Sequence, residues 1–171
     1  MKYGLTLPPI GPYSDPRTLS DLAVEAEQAG WDGFFVWDQI RLMADAPVRL
    51  FDPWVLLAAI AVRTERVRIG TLITPIARRR PWKLARETVT LDHLSGGRLI
   101  LGVGLGYPPD ADFALLGEDP DDRVRAAKLD EGLEVLTRLW TAEPVDFDGD
   151  HFHVHGARFD PGPVQRPARG H

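Results

Sequence analysis

The 171-residue sequence contains no cysteine and only two methionines. Without cysteine there is no disulfide framework, no thiolate metal site and no thiol nucleophile, a usage that fits a reducing cytoplasm. Long apolar runs are also missing: the stretch Val55 to Val62 falls far short of the roughly 20 residues of a membrane helix. The start MKYGLTLPPIG has no signal-peptide core, so a chain that stays off the membrane and in the cytoplasm is expected. Positive charge is scarce, with 20 Lys and Arg against 25 Asp and Glu and a net charge of -5. Phosphate backbones demand a broad basic surface, so no nucleic-acid partner is expected, and small molecules or other proteins are the remaining partners. What is present, 44% hydrophobic and 26% charged residues, suits one folded domain with a core.

Strand and helix signals alternate along the chain. Lys2 to Leu7 reads as a strand; Asp15 and Pro16 then form an N-cap and first-turn pair, and Gly30 stops the helix that follows. A second strand, Gly33 to Trp37, leads through a long loop to Asp52-Pro53 and a helix from Trp54 to Arg63 that is apolar nearly all round. Such a helix has to be covered on more than one side. A third strand, Val67 to Thr74, precedes a helix from Pro81 to about Leu94, closed by Ser95-Gly96-Gly97. A fourth strand, Leu99 to Leu105, precedes a helical turn near Ala111 to Leu116 and a helix from Asp122 to Trp140. The spacing is that of four βα units with parallel strands. VDFDGDHFHV reads as a β-hairpin around Asp148-Gly149, and the Pro- and Gly-rich tail from 156 to 171 carries no further strand. Two α/β architectures accommodate this order: an open doubly wound sheet, or the first half of an eight-unit barrel of about 250 residues.

The stretch LDHLSGGRLILGVGLG, 91 to 106, raises a separate question, because Gly102, Gly104 and Gly106 leave one face of the fourth strand bare. A flat ligand or a neighbouring backbone pressing on that face explains it, and so does tight core packing or a bulge. The spacing is not that of a dinucleotide fingerprint, since Tyr107-Pro108-Pro109 stands where a helix should open.

The block RRRPWKLARETVTLDHLSGGRLILGVGLG, 78 to 106, resembles the most recognisable stretch of the bacterial luciferase-like monooxygenases. EAEQAGWDGFFVWDQI (25 to 40), VRIGTLITP (67 to 75), LDEGLEVLTRLW (129 to 140) and PGPVQRP (161 to 167) follow the family's order. The resemblance implies a TIM-barrel-derived fold: four N-terminal βα units plus a β-hairpin form a partial barrel over 1–155, followed by the tail 156–171. It also implies an oxidoreductase or monooxygenase using FMN or coenzyme F420 on a small organic substrate. The sequence ends just after the motif that introduces the family's fifth strand, so three readings stand: a second half-barrel, supplied by another copy or a complementary chain, completes a site; the chain is the N-terminal portion of a complete enzyme; or it is a non-catalytic flavin-binding or inactive relative.

By the same resemblance the ring-side residues are Trp37, Thr71, Leu72, Ile73, Gly104, Gly106 and Tyr107, with Asp38 as the polar, candidate catalytic group. Gln39 stands where F420-using relatives often carry a histidine. A non-prolyl cis peptide is implied within 70–75, between Leu72 and Ile73 or one bond away. Other clusters have plainer explanations. His151, His153 and His155 alternate as an exposed hairpin face would, and no metal site is expected. Arg78, Arg79 and Arg80 precede a helix N-terminus suited to phosphate, although a solvated helix entry accounts for them more simply. Glu87, Asp92, His93 and Glu131, with Arg86 and Arg98 near them, read as ion pairs of helices and loops.

Overall fold

The computed structural model describes residues 1–13 and 15–165. Four strands, β1 (Gly4–Leu7), β2 (Gly33–Val36), β3 (Arg68–Pro75) and β4 (Leu99–Gly104), form one parallel sheet in the order β1-β2-β3-β4. Helices α1 (Pro16–Gln28), α2 (Pro53–Ala61) and α3 (Pro81–Leu94) connect them. A short turn of helix, α4 (Pro109–Asp112), follows β4, then α5 (Asp122–Leu139) and an antiparallel hairpin of β5 (Val145–Asp148) and β6 (His153–Ala157). Each strand pairs with its sequence neighbours and the order never reverses, which is the progression of a barrel wall; a doubly wound sheet would switch direction partway. The chain thus forms a partial barrel.

Local chemistry places the helices. The Asp15 carboxylate accepts from the Thr18 N–H at 2.8 Å, and Asp52 accepts from the N–H groups of Trp54 and Val55 at 2.9 Å each. Both caps precede a proline whose missing N–H costs nothing in the first turn. Gly30 adopts φ +86°, so the chain reverses into β2 without a side-chain penalty.

The strands' period of two divides the sheet. Leu5, Phe34, Ile69 and Leu99 share one row facing the helices, where Phe34 and Ile69 pack with Leu19, Leu57, Leu84 and Leu136 in the core. The next row, Thr6, Phe35, Gly70 and Ile100, faces the other way. No described helix covers that second face: Ile100 is 42% exposed and Leu72 46%. α2 also keeps an exposed flank at Val55, although Trp54, Leu57 and Ile60 are buried.

Carboxylates brace the loops at the opposite end. Glu27 accepts from the N–H groups of Glu65, Arg66 and Val67. Glu131 does the same for Asp150, His151 and Phe152 in the hairpin turn. Asp92 holds the Gln165 N–H and side-chain amide, His93 meets the Gly162 carbonyl, and Arg86 donates to the Asp160 carbonyl. The expected ion pairs are therefore mostly replaced by side chains bonded to backbone, Glu87 with Lys83 being an exception. Arg98 is buried, forms no salt bridge among the described residues, and donates to Ala61, Thr64, Val67 and Ser95.

A Cβ on Gly70 would lie 1.7 Å from the Ile100 carbonyl oxygen, a backbone atom of the adjacent strand. Gly70→Ala is therefore expected to destabilise the chain by about 3 kcal/mol or more. Gly30→Ala, which meets only an unfavourable φ and open space, should cost about 1–2 kcal/mol. Urea unfolding followed by circular dichroism checks the difference; equal losses would contradict the strand-contact account.

Candidate active site

At the carboxyl ends of β2, β3 and β4 lies a cavity of about 560 Å³. Its wall is largely apolar: Trp37, Leu42, Leu72, Ile73, Pro75, Leu105 and Tyr107, with Asp38, Gln39, Gly106 and Asp112 between them. This is where α/β folds place ligands, because the connecting loops converge there. Three loops build it: the segment after β2 brings Trp37 to Leu42, the last turn of β3 brings Leu72 to Pro75, and the exit of β4 brings Leu105 to Tyr107.

The β3 contribution is irregular. The peptide between Leu72 and Ile73 is cis, at the position the resemblance implied, and the β3–β4 register shifts between Thr71 and Thr74. The shift answers the question of the bare glycines. A Cβ on Gly102 would lie 2.5 Å from the Thr71 carbonyl oxygen, and one on Gly104 would meet the Ile73 side chain at 3.2 Å. At Gly106, φ is +86° and a Cβ would press on Pro75 and Phe113 at 2.7 and 2.9 Å. β4 is bare because β3 and its bulge lie against it. Gly104 and Thr71 accordingly stand behind the cavity wall: Thr71 is buried, with its hydroxyl oxygen 2.8 Å from the Thr74 hydroxyl and 3.3 Å from the Gly102 carbonyl. Trp37, Asp38, Leu72, Ile73, Gly106 and Tyr107 do line the cavity.

Asp38 is 1% exposed. One carboxylate oxygen accepts from the Trp54 indole N–H at 3.0 Å and the Thr74 hydroxyl at 2.9 Å. The other accepts from Arg79 at 2.6 Å and Arg78 at 3.2 Å. Burial pushes its carboxyl pKa up, but the Arg79 and Arg78 charges, with donors from Arg79 and Trp54, outweigh burial and hold it below the usual carboxylate range. Arg78 also donates to the Asp38 backbone carbonyl at 2.6 Å and, through Nε, to Asp112 at 3.0 Å. Asp112 in turn accepts from the N–H groups of Ile40 and Arg41 at 2.9 and 3.0 Å. On the far rim, the Gln39 side chain donates to the Tyr107 carbonyl at 2.7 Å, and Arg125 donates to the carbonyls of Leu105 and Gly106.

Arg78 and Arg79 are thus neither a solvated helix entry nor a phosphate cradle, whereas Arg80 is exposed and lies over Trp82 at 6.0 Å. The Arg78 and Arg79 side chains are only 2% and 16% exposed and pair with Asp38, Asp112 and, for Arg79, Glu87 at 3.6 Å. Sequence reasoning missed Trp54 and Asp112 as well. A carboxylate in the turn of helix after β4 carries no local signal, and the partners of Asp112 come from two other loops. His153 pairs with Asp148 at the surface, and among the described residues no three metal-ligating side chains converge.

Asp38→Asn is expected to destabilise the chain by about 3 kcal/mol at neutral pH, because it leaves two guanidinium groups without their shared counter-charge. The folded-state pKa is depressed, so the charged carboxylate's contribution is full above the unfolded pKa and disappears as pH falls through the folded one. The gap between wild type and variant should therefore narrow on acidification below the ordinary carboxylate range. Denaturant unfolding across an acid pH series measures it; a gap independent of pH would contradict the assignment.

Comparison with known proteins agrees with this geometry. The family model described as "Luciferase-like monooxygenase" matches residues 4–169. An F420-dependent glucose-6-phosphate dehydrogenase of Intrasporangium calvum is 39% identical over 149 residues, covering 83% of this chain and 43% of that protein. Its counterpart in Gordonia bronchialis is 37% identical over 149 residues, covering 84% and 43%. Among solved structures, an F420-dependent secondary alcohol dehydrogenase in complex with an F420-acetone adduct aligns with a TM-score of 0.85 at 28% identity, covering 96% of this chain and 50% of that one. The monooxygenase RslO1 of Streptomyces bottropensis aligns at 0.80 with 30% identity, covering 98% and 51%. The chain spans about half the length of these relatives. With its partial barrel, its strand-end cavity and a family match over nearly its whole length, the chain belongs to the luciferase-like monooxygenase family.

Proposed function

We propose that this chain supplies the ring-binding half of a flavin- or deazaflavin-dependent oxidoreductase acting on a small organic molecule, with FMN or F420 as the cofactor. The observation that carries the reading is the cavity: about 560 Å³, walled by Trp37, Leu72, Ile73 and Tyr107, and opening where the strands end. Such a volume and lining suit a flat, largely apolar ring system. The relatives' activities, F420-dependent dehydrogenases and a monooxygenase, support the same class.

The residues present fit the ring better than the phosphate-bearing tail. Among the described residues lining the cavity none is Lys or Arg, and Arg78 and Arg79 are engaged by buried carboxylates. When bound, the cofactor supplies hydride storage and transfer. The chain's own residues exclude water and fix the ring's plane. Trp37 and Tyr107 stand on opposite loops, and Asp38 acts through Arg78, Arg79, Trp54 and Thr74 to hold those loops in place, with no lone pair left for a proton. Gln39 carries no titratable group.

The open sheet face is the other half of the reading. Ile100 and Leu72 are exposed, and the Ile100 row corresponds to the inner layer of a barrel. A second half-barrel, whether from the remainder of a longer chain, another copy or a complementary chain, covers it and brings the tail-binding groups. A binding module without turnover is the alternative, favoured by the engaged state of Asp38.

Titrating the purified chain with FMN and separately with F420, read by cofactor fluorescence at several chain concentrations, checks the proposal. Saturable binding of one cofactor that tightens as chain concentration rises is expected. No binding of either at any concentration would overturn it.

A further inference from the structure

We propose that Arg78 and Asp112 are positioning residues that hold the segment after β2 as a preformed wall of the cavity, before any ligand arrives. This rests on reading that cavity as the cofactor site. Between Val36 and Pro53 the chain runs sixteen residues with no helix or strand of its own, a length at which ordering entropy normally leaves a loop loose. Yet Gln39 and Leu42, which form one side of the cavity, belong to it.

Two backbone amides near its start, Ile40 and Arg41, are bonded to one carboxylate oxygen of Asp112, whose side chain is fully buried. The other Asp112 oxygen faces Arg78 Nε. Arg78 Nη2 then reaches both the carbonyl and the carboxylate of Asp38, the residue at the loop's root. A single guanidinium therefore joins two buried carboxylates from the exits of β2 and β4, and itself leaves from β3. Every strand end that contributes to the cavity meets at Arg78. The cluster of Asp38, Asp112, Arg78 and Arg79 is neutral in total, so it can be buried without a net charge, but removal of any member leaves an uncompensated charge. Arg41 adds a local clamp by donating to the carbonyls of Met43 and Ala44.

Asp112→Asn keeps the shape, but its single acceptor oxygen cannot serve both Arg78 Nε and the Ile40 and Arg41 amides, so the NH2 group faces donors on one side or the other. The bridge from Arg78 to Ile40 and Arg41 is broken either way, and the loop should loosen while the core stays intact. The test uses trypsin cleavage after Arg41 and Arg49, with FMN and F420 titrations of the same samples. Expected are at least tenfold faster cleavage at Arg41, unchanged cleavage at arginines outside the loop, and at least tenfold weaker cofactor binding. Asp92→Asn, which disturbs a buried carboxylate on the far side of α3, serves as control and should leave cleavage at Arg41 and cofactor affinity alone. Arg78→Lys, which keeps the charge but cannot span two carboxylates, should show the same selective loosening and substitutes if Asp112→Asn does not fold.

Cleavage at Arg41 at the wild-type rate would overturn the inference, as would cleavage rising equally at all sites. Selective loosening in a chain whose wild type binds neither cofactor would uphold the positioning role and remove the functional reading instead.

Discussion

Asp38 carries a charge at the end of β2 with almost no surface open to water, and the site is arranged around the donors that this charge requires. Four side chains from three separate segments converge on it: Trp54 from α2, Thr74 from the end of β3, and Arg78 and Arg79 from the turn that follows. A buried carboxylate is tolerated only when fully hydrogen-bonded and paired, so these segments cannot drift independently. Because Arg78 continues to Asp112, the constraint extends to the exit of β4 and returns to the β2 loop through Ile40 and Arg41. The cavity lies beside this circuit of charges and shares Asp38 and Asp112 with it.

Close backbone contact is the second constraint, and it depends on the first for its position. β3 shifts register between Thr71 and Thr74, which turns the Thr74 hydroxyl to Asp38 and lays the Thr71 carbonyl against Gly102. The same shift brings Ile73 over Gly104 and Leu72 into the cavity wall. Gly70, Gly102 and Gly106 are the spaces into which neighbouring atoms fit, so the glycine-rich stretch belongs to the scaffold of the site, with Gly106 alone of the three fourth-strand glycines reaching the cavity surface.

Much of the fold was legible because its signals are local. The Asp-Pro helix starts at 15–16 and 52–53, the glycine stops, and the recurring strand spacing place every helix and strand within a few residues. What local signals could not give was strand order, which depends on closure of the whole sheet; the family resemblance chose the barrel. Of the residues that the resemblance marked, Trp37, Leu72, Ile73, Gly106 and Tyr107 meet at one cavity, while Thr71 and Gly104 do not line it. Arg78 and Arg79 were misread because a run of arginines before a helix looks the same whether it faces solvent or two buried carboxylates. Their partners, at 38 and 112, lie tens of residues away on other loops. Pairing of that kind is a property of the tertiary structure, and no spacing rule encodes it.

The partial barrel leaves a polar circuit finished and an apolar face unfinished. Asp38, Asp112 and their arginines complete one another within this chain, whereas Ile100 and Leu72 are exposed. The wall of the cavity is thus organised by this half alone, even where a second half is needed to close the barrel. Amide hydrogen exchange, read residue by residue on the chain without ligand, tests that claim most directly. Preorganisation predicts that the N–H groups of Ile40 and Arg41 exchange far more slowly than their exposed neighbours in the same loop, in step with strand amides of the sheet. Exchange of both at the rate of an unstructured chain would contradict it.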